Sequence, residues 1–208
     1  MIVPFKGANT KTRLSGVLDE AQRRQLSLLM LREVLEVLAE TDLAGSCEVV
    51  SPDREALGLA LDMGAEPVSE RANRGVNAAV LTGMKKAKND GIMAIPADLP
   101  LLKASEIRAA VALKSYGADV VLAPSSSFDG TNLLLFSRGR PLTLSYDRNS
   151  FWNHLAGAAK KGLSVAIYTG RGAMFDVDTV DDLKRLGQMR VCSPPVAFAK
   201  NALRKGDY

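Results

Sequence analysis

Five segments of this chain carry residue types and spacings suited to chemistry, and each adjoins a short apolar run or a turn. The first is Lys6-Gly7-Ala8-Asn9-Thr10-Lys11-Thr12-Arg13-Leu14, directly behind Ile2-Val3-Pro4-Phe5. A glycine admits close backbone approach, and lysine and arginine neutralise charge, so three cations here suit a polyphosphate. No Gly-Lys-Ser/Thr follows at Walker spacing. Alone, the segment reads equally well as a solvated basic loop.

The second segment is Ile95-Pro96-Ala97-Asp98-Leu99-Pro100. Two prolines fix the turn around one carboxylate, which suits a hard cation such as Mg²⁺; an Asx turn or helix N-cap explains Asp98 as simply. The third is Phe175-Asp176-Val177-Asp178-Thr179. On a strand, residues two apart share a face, so Asp176 and Asp178 would present paired carboxylates whose repulsion a cation relieves. The competing role for Asp178 or Thr179 is to cap the next helix.

Arg74-Gly75-Val76-Asn77-Ala78-Ala79 offers small residues at a helix start, where a flat base could approach, and an amide able to donate and accept. Ordinary helix-start packing is the plainer account. The fifth pairs Asp129-Gly130-Thr131-Asn132 with the run from Ser145 through Tyr146, Asp147, Arg148 and Ser150 to His154. The Thr131 and Ser150 hydroxyls lie near a turn and a helix N-terminus, a place that favours anions. His154, one turn into that helix, reads as a packed residue rather than a base. Gly170-Arg171-Gly172 lacks the third glycine of a dinucleotide fingerprint, since position 175 is Phe175, and no Gly-x-Ser-x-Gly elbow exists.

These segments need elements to position them. Apolar runs at Ile2–Phe5, Glu48–Ser51, Glu66–Val68, Ile92–Pro96, Asp119–Pro124, Leu133–Phe136, Ser164–Tyr168 and Met174–Val177 read as strands. Helical periodicity marks Asp19–Glu40, Pro52–Met63, Gly75–Lys88, Ser105–Tyr116, Phe151–Lys161 and Thr179–Gln188, with Thr179 as N-cap and Asp182 in the capping position. This alternation predicts an α/β fold with a Rossmann-like three-layer sandwich and a mixed, mostly parallel central sheet. The stretch Ser125–Ser145 departs from the rhythm and would add an antiparallel element. Ligands of open α/β sheets sit beyond the carboxyl ends of the strands, where these segments lie. Residues 1–190 read as one domain and 191–208 as a tail with a short helix over Val196–Lys205.

Composition narrows the chemistry. The 208 residues include one histidine and two cysteines, with 24% charged side chains and a net charge of +4. Multi-histidine metal sites and cysteine-rich zinc sites are excluded, and Cys47 and Cys192 are expected as unpaired thiols. With 5% aromatic residues and a modest charge, nucleic acid is not an expected partner. The longest apolar stretch, Leu26–Ala39, is interrupted by Arg32, Glu33 and Glu36, and the N-terminus lacks a secretory layout, so a cytoplasmic protein without a membrane span is expected.

Taken jointly and in order, Pro4-Phe5-Lys6, Lys11-Thr12-Arg13-Leu14, Gly75–Ala79, Pro96–Pro100, Asp129–Asn132, Ser150-Phe151, His154 and Asp176-Val177-Asp178 resemble the 2-phospho-L-lactate guanylyltransferase family of coenzyme F420 biosynthesis. The resemblance spans about residues 1 to 188. It implies a nucleotide-diphospho-sugar transferase (GT-A-like) fold and the joining of 2-phospho-L-lactate, or phosphoenolpyruvate, to GTP with release of pyrophosphate. It implies Mg²⁺, one or two ions bound with GTP, at Asp98, Asp176 and Asp178; the triphosphate at Lys6, Lys11 and Arg13; the guanine side at Gly75, Asn77 and Ala78; and the phospho-acid at Thr131 and Ser150. Relatives often carry glycine after the aromatic at 146, where this chain has Asp147 in the substrate loop. Other readings are a sugar-phosphate or molybdopterin nucleotidyltransferase of the same fold and a non-catalytic nucleotide sensor. The tail is a candidate homodimer interface.

The chemistry agrees with the inventory. A phosphate nucleophile is mostly dianionic at pH 7, its second pKa being about 6, so no general base is required. The protein must bring anions together and stabilise a leaving pyrophosphate, which carboxylate-held metal and cations do.

Overall fold

The apolar runs pair into one sheet in a computed structural model that describes residues 1–7, 11–43 and 45–205. Its strands are β1 (Ile2–Pro4), β2 (Glu48–Ser51), β3 (Glu66–Ser69), β4 (Gly91–Ala94), β5 (Val120–Pro124), β6 (Thr131–Ser137) and β7 (Val165–Ile167). The helices are α1 (Glu20–Ala39), α2 (Arg54–Asp62), α3 (Val76–Lys86), α4 (Ala104–Ser115), α5 (Ser150–Lys160), α6 (Val180–Gly187) and α7 (Pro194–Lys205), with a 3-10 turn at Thr12–Leu14. Among the described residues no helix is long and apolar enough to cross a membrane.

Strand order is β3-β2-β1-β4-β6-β5-β7. Strands β1 to β4 pair in parallel, as does β5 with β7, and β6 runs antiparallel between β4 and β5. This is the expected mixed, mostly parallel sheet, and β6 is its antiparallel element. Leu133, Leu134, Leu135 and Phe136 are apolar on both faces of the strand and all buried, which suits only an interior position. Alternation then divides them. Leu133 and Leu135 join Val3, Met93 and Val121 in one core layer with α1, α2 and α4. Leu134 and Phe136 join Ile2, Ile92 and Val120 in the other, with α3 and α5.

Local signals set the helix ends. Asp19 caps α1 by accepting from the Gln22 backbone N–H at 2.8 Å, while the Gln22 side chain accepts from the Asp19 N–H at 2.9 Å; such a box contributes about 1 kcal/mol. Thr179 and Asp182 form the same reciprocal cap on α6, as the sequence predicts. Helix α7 starts at Pro194, two residues before the expected Val196, because proline fits a first helical turn. Its Val196 and Ala199 are buried in a third core with Leu14, Leu26, Leu183 and Leu186. Residues 206–208 of the expected tail lie outside the described residues.

One expected strand is absent. The stretch Met174–Val177 turns instead: the Met174 N–H donates to the Gly170 carbonyl at 2.9 Å and that of Phe175 to Gly172 at 3.2 Å. The Val177 N–H donates to the Asp98 carbonyl at 3.2 Å, and no ladder extends from it. Apolar alternation marked this segment because Phe175 and Val177 are buried in the third core, not because it pairs in the sheet.

Helix α3 lies close on β1 because residue 83 is glycine. A Cβ there would stand 2.7 Å from Ile2 Cγ2, in a fully packed layer. Gly83→Val is therefore expected to destabilise the fold by about 1–3 kcal/mol, as overpacked cores do. Denaturant unfolding measures it; an unchanged midpoint would show that this contact does not constrain the fold.

Candidate active site

The first wall of the site is built from strand ends. Beyond β1, the Phe5 N–H donates to the Val50 carbonyl at 2.9 Å and aims the chain out of the sheet at Lys6. Ala8, Asn9 and Thr10 of the expected phosphate loop lie outside the described residues. Lys11 follows in left-handed backbone geometry, φ 63°, an unfavourable conformation for a residue with a Cβ. Its side chain is 6% exposed, and its ammonium donates at 2.7 Å to Asp98 Oδ2 and at 2.7 Å to Asp178 Oδ1. Burial alone would lower the Lys11 pKa, but attraction to Asp98 and Asp178 and the hydrogen bonds to both outweigh it and hold the pKa well above normal.

Asp98 arrives on the turn after β4, with no local capping role; Lys103 occupies the N-cap of α4. Asp176 and Asp178 come from the irregular segment that replaced the expected strand. They meet Asp98 because that segment is anchored. The buried Glu106 carboxylate accepts from the backbone N–H groups of Gly172 at 2.9 Å, Lys103 at 3.0 Å and Ala173 at 3.4 Å. Residue 172 must be glycine, since a Cβ would lie 2.1 Å from the Leu101 carbonyl oxygen. Downstream, Asp182 accepts from the backbone of Asp178 at 3.3 Å and Thr179 at 2.9 Å.

The three acids are not equivalent. Burial pushes Asp176 up to about 6, Asp98 repels it further, and a 3.1 Å hydrogen bond from Asn132 Nδ2 opposes the rise. Burial would raise Asp178 too, but Lys11 outweighs that and, with smaller help from Arg13 and Lys6, lowers its pKa. The corner therefore holds more negative charge than Lys11 alone comfortably balances.

Hydroxyls form a second wall of the same cavity. Thr131 opens β6 and Ser150 opens α5; Ser150 Oγ donates to Thr131 Oγ1 at 3.2 Å. His154 is buried behind them, as expected of a packed residue, with Nδ1 3.0 Å from Thr131 Oγ1 and Nε2 accepting from the Ser145 N–H at 2.9 Å. Burial lowers the His154 pKa to about 4, so the ring is neutral at pH 7.

A cavity of about 430 Å³ brings together Lys6, Lys11, Asp98, Thr131, Asp147, Ser150, Asp176 and Asp178. Gly75, Asn77, Ala78 and Arg13 do not line it, although Val76 does. The Asn77 amide is not free for a base edge: Oδ1 accepts from the Tyr146 N–H at 2.8 Å, and Nδ2 lies 3.5 Å from Asp147 Oδ2. Asn77 thus ties the start of α3 to the 145–149 loop, and Asp147 is accommodated at the exposed rim beside it.

Sequence reasoning missed four contributors. Asn132 follows Thr131 on β6 where the pairing with β5 shifts register, so alternation along the strand does not foretell that its side chain reaches Asp176. Asn73 donates to the Lys6 carbonyl at 3.3 Å and accepts from the Gly75 N–H at 2.9 Å, joining two loops distant in sequence. Neither Glu106 nor the Lys11 bridge carries any local sequence signal.

Residues 1–189 match the model of the family described as "Guanylyl transferase CofC like". The chain belongs to this family. It is 35% identical over 189 residues to the phosphoenolpyruvate guanylyltransferase of Rubrobacter xylanophilus, covering 89% of this chain and 91% of that protein. It is also 35% identical to the 2-phospho-L-lactate guanylyltransferase of Methanocaldococcus vulcanius (88% and 81% covered), and 33% identical to the 3-phospho-D-glycerate guanylyltransferase of Phenylobacterium zucineum (85% and 83% covered). A crystal structure named as a putative nucleotide-diphospho-sugar transferase from Desulfovibrio desulfuricans superposes with a TM-score of 0.75 at 17% identity, covering 98% of this chain and 96% of that one. That likeness is of fold. CofC-like members are named guanylyltransferases, and the transferase class and GT-A-like fold implied by the sequence stand.

The unbalanced charge has a measurable consequence. Asp176 binds its proton more tightly folded than unfolded, so its contribution is fully favourable below about pH 4 and is lost as pH rises through about 6. Asp176→Asn should therefore unfold later than the parent at pH 7, by up to about 3 kcal/mol, with the gap closing below pH 4. Chemical denaturation at both pH values measures this; a gap that does not change with pH would contradict the assigned charge state.

Proposed function

We propose that this chain transfers a guanylyl group from GTP to the phosphate of a small phospho-acid, 2-phospho-L-lactate or phosphoenolpyruvate, within coenzyme F420 biosynthesis. A substrate phosphate oxygen forms a bond to the α-phosphorus of GTP, the α–β bond breaks, and pyrophosphate leaves. The observation that carries this reading is one cavity lined both by an acid-and-lysine cluster and by a pair of hydroxyls. The first suits a cation and a triphosphate. The second suits a compact anion.

The acid corner fits a divalent cation by its donor chemistry. Among the described residues no three acidic, histidine or cysteine side chains stand close enough to enclose one ion. Asp98 and Asp178 nevertheless already converge on one positive charge, and Asp176 beside them lacks one. Asp98, Asp176 and Asp178 would hold Mg²⁺, with nucleotide oxygens and water completing the shell. Bound there, the ion would supply charge neutralisation for the triphosphate and its departing pyrophosphate.

The chain's own residues do the rest by position. Lys11, once drawn from the two carboxylates, has a buried ammonium to offer phosphate oxygens, and Lys6 and Arg13 add positive potential at the same rim. Thr131 and Ser150 hold the phospho-acid so that its phosphate faces the α-phosphorus. Such fixed dipoles and charges lower the barrier without a proton transfer, which fits a site whose one histidine is neutral.

Pyrophosphate release tests the reading. GTP should be used with 2-phospho-L-lactate, phosphoenolpyruvate or 3-phosphoglycerate, while CTP, ATP and sugar phosphates should be inert. Asp98→Ala and Asp176→Ala should each abolish transfer while the far-UV spectrum stays native, and EDTA should do the same reversibly. Full activity after chelation would sink the metal assignment.

A further inference from the structure

We infer that His154 is a positioning residue that turns the Thr131 hydroxyl into an obligatory hydrogen-bond donor aimed at the anion in the cavity. The inference deepens the function proposed above and rests on it. It follows from counting hydrogens around three side chains. The Ser145 backbone N–H points at His154 Nε2 from 2.9 Å, so Nε2 must accept and cannot carry a proton. A neutral imidazole has one N–H, which is therefore on Nδ1, and Nδ1 lies 3.0 Å from Thr131 Oγ1. Ser150 Oγ donates to the same oxygen at 3.2 Å.

Thr131 Oγ1 thus accepts two hydrogen bonds, which uses both its lone pairs. Its own O–H has only donation left. Thr131 and Ser150 both line the cavity. A donor-only hydroxyl matches an acceptor-only oxygen, such as that of an ionised phosphate or carboxylate, and mismatches a ligand hydroxyl that must donate. The arrangement is rigid. Thr131, Ser150 and His154 are buried, and the Tyr146 ring meets the imidazole edge-on at 4.9 Å. The histidine selects for a full negative charge at the hydroxyl wall without bringing a positive one, because the backbone N–H at Ser145 disfavours a proton on Nε2.

Because the chain has one histidine, a ¹⁵N imidazole spectrum reads this residue alone. At pH 7 it should show a neutral ring protonated on Nδ1. An Nε2–H tautomer or an imidazolium would overturn the inference with no substrate involved. Kinetically, His154→Leu should raise KM for the phospho-acid about tenfold or more, the scale of one hydrogen bond to a charged group, and leave KM for GTP unchanged. His154→Asn, whose amide N–H stands near the Nδ1 position, should recover most of that loss. In a Thr131→Val background His154→Leu should add nothing further, whereas a merely structural histidine would give additive losses and raise both KM values. A parent enzyme that turns over no phospho-acid would defeat the proposed function instead. The inference would then stand only if inorganic phosphate shifts the Nδ1 resonance in the parent and not in Thr131→Val.

Discussion

One ammonium shared by two carboxylates organises the working end of this molecule. Lys11 reaches Asp98 and Asp178 from residues 87 and 167 positions away in sequence, at 2.7 Å each. A buried lysine is tolerated only with compensating negative charge, and the carboxylates are tolerated near one another only with a cation between them. The interaction therefore ties the first loop, the turn after β4 and the segment before α6 into a single corner. It also holds Lys11 in a left-handed backbone conformation. Asp176 remains outside this balance, which is why burial and Asp98 drive its pKa up to about 6. A corner with surplus negative charge has a built-in attraction for a divalent cation.

The sheet supplies the frame that makes such a corner repeatable. Strands β1 and β4 lie side by side in parallel, so the chain leaves both at the same edge and delivers Lys6 and Asp98 together. Strand β6 runs the other way and therefore begins at that edge, which brings Thr131 and Asn132 to the cavity at its first residues. At that end the pairing with β5 shifts register, and the two side chains divide their duties: Thr131 joins the hydroxyl wall, and Asn132 donates to Asp176. One reversed strand thus supplies residues to both walls of the cavity.

The two walls differ in how they treat charge. The acid corner carries full charges, three carboxylates against the Lys11 ammonium. The hydroxyl wall uses neutral donors, with His154 kept uncharged by burial and by the Ser145 N–H. A reaction between two phosphates gains from that division, since the nucleophile is already ionised and needs orientation more than activation.

Much of the fold was legible from residues 1–208 alone. Periodicity located the helices, the capping pair Thr179 and Asp182 set the start of α6, and the four apolar residues Leu133–Phe136 marked an interior strand. The joint set of motifs named the family. Residue type and strand-end position also singled out Lys6, Lys11, Asp98, Thr131, Ser150, Asp176 and Asp178, because charges and hydroxyls placed after buried strands have few structural reasons to be there. Partners across long sequence separations were not legible. Periodicity reports burial, not pairing, so Phe175 and Val177 imitated a strand while packing into a helical core. Asn77 looked free for a base edge until the 145–149 loop was folded onto it. The Glu106 anchor, the Lys11 bridge and the proton count at Thr131 each depend on groups that meet only when the chain closes. Which chemistry the chain carries is written in the order of its residues, because side-chain types are local. Which atoms share each proton and charge is settled by folding, because hydrogen bonds and ion pairs act over a few ångströms of space, whatever the distance along the chain.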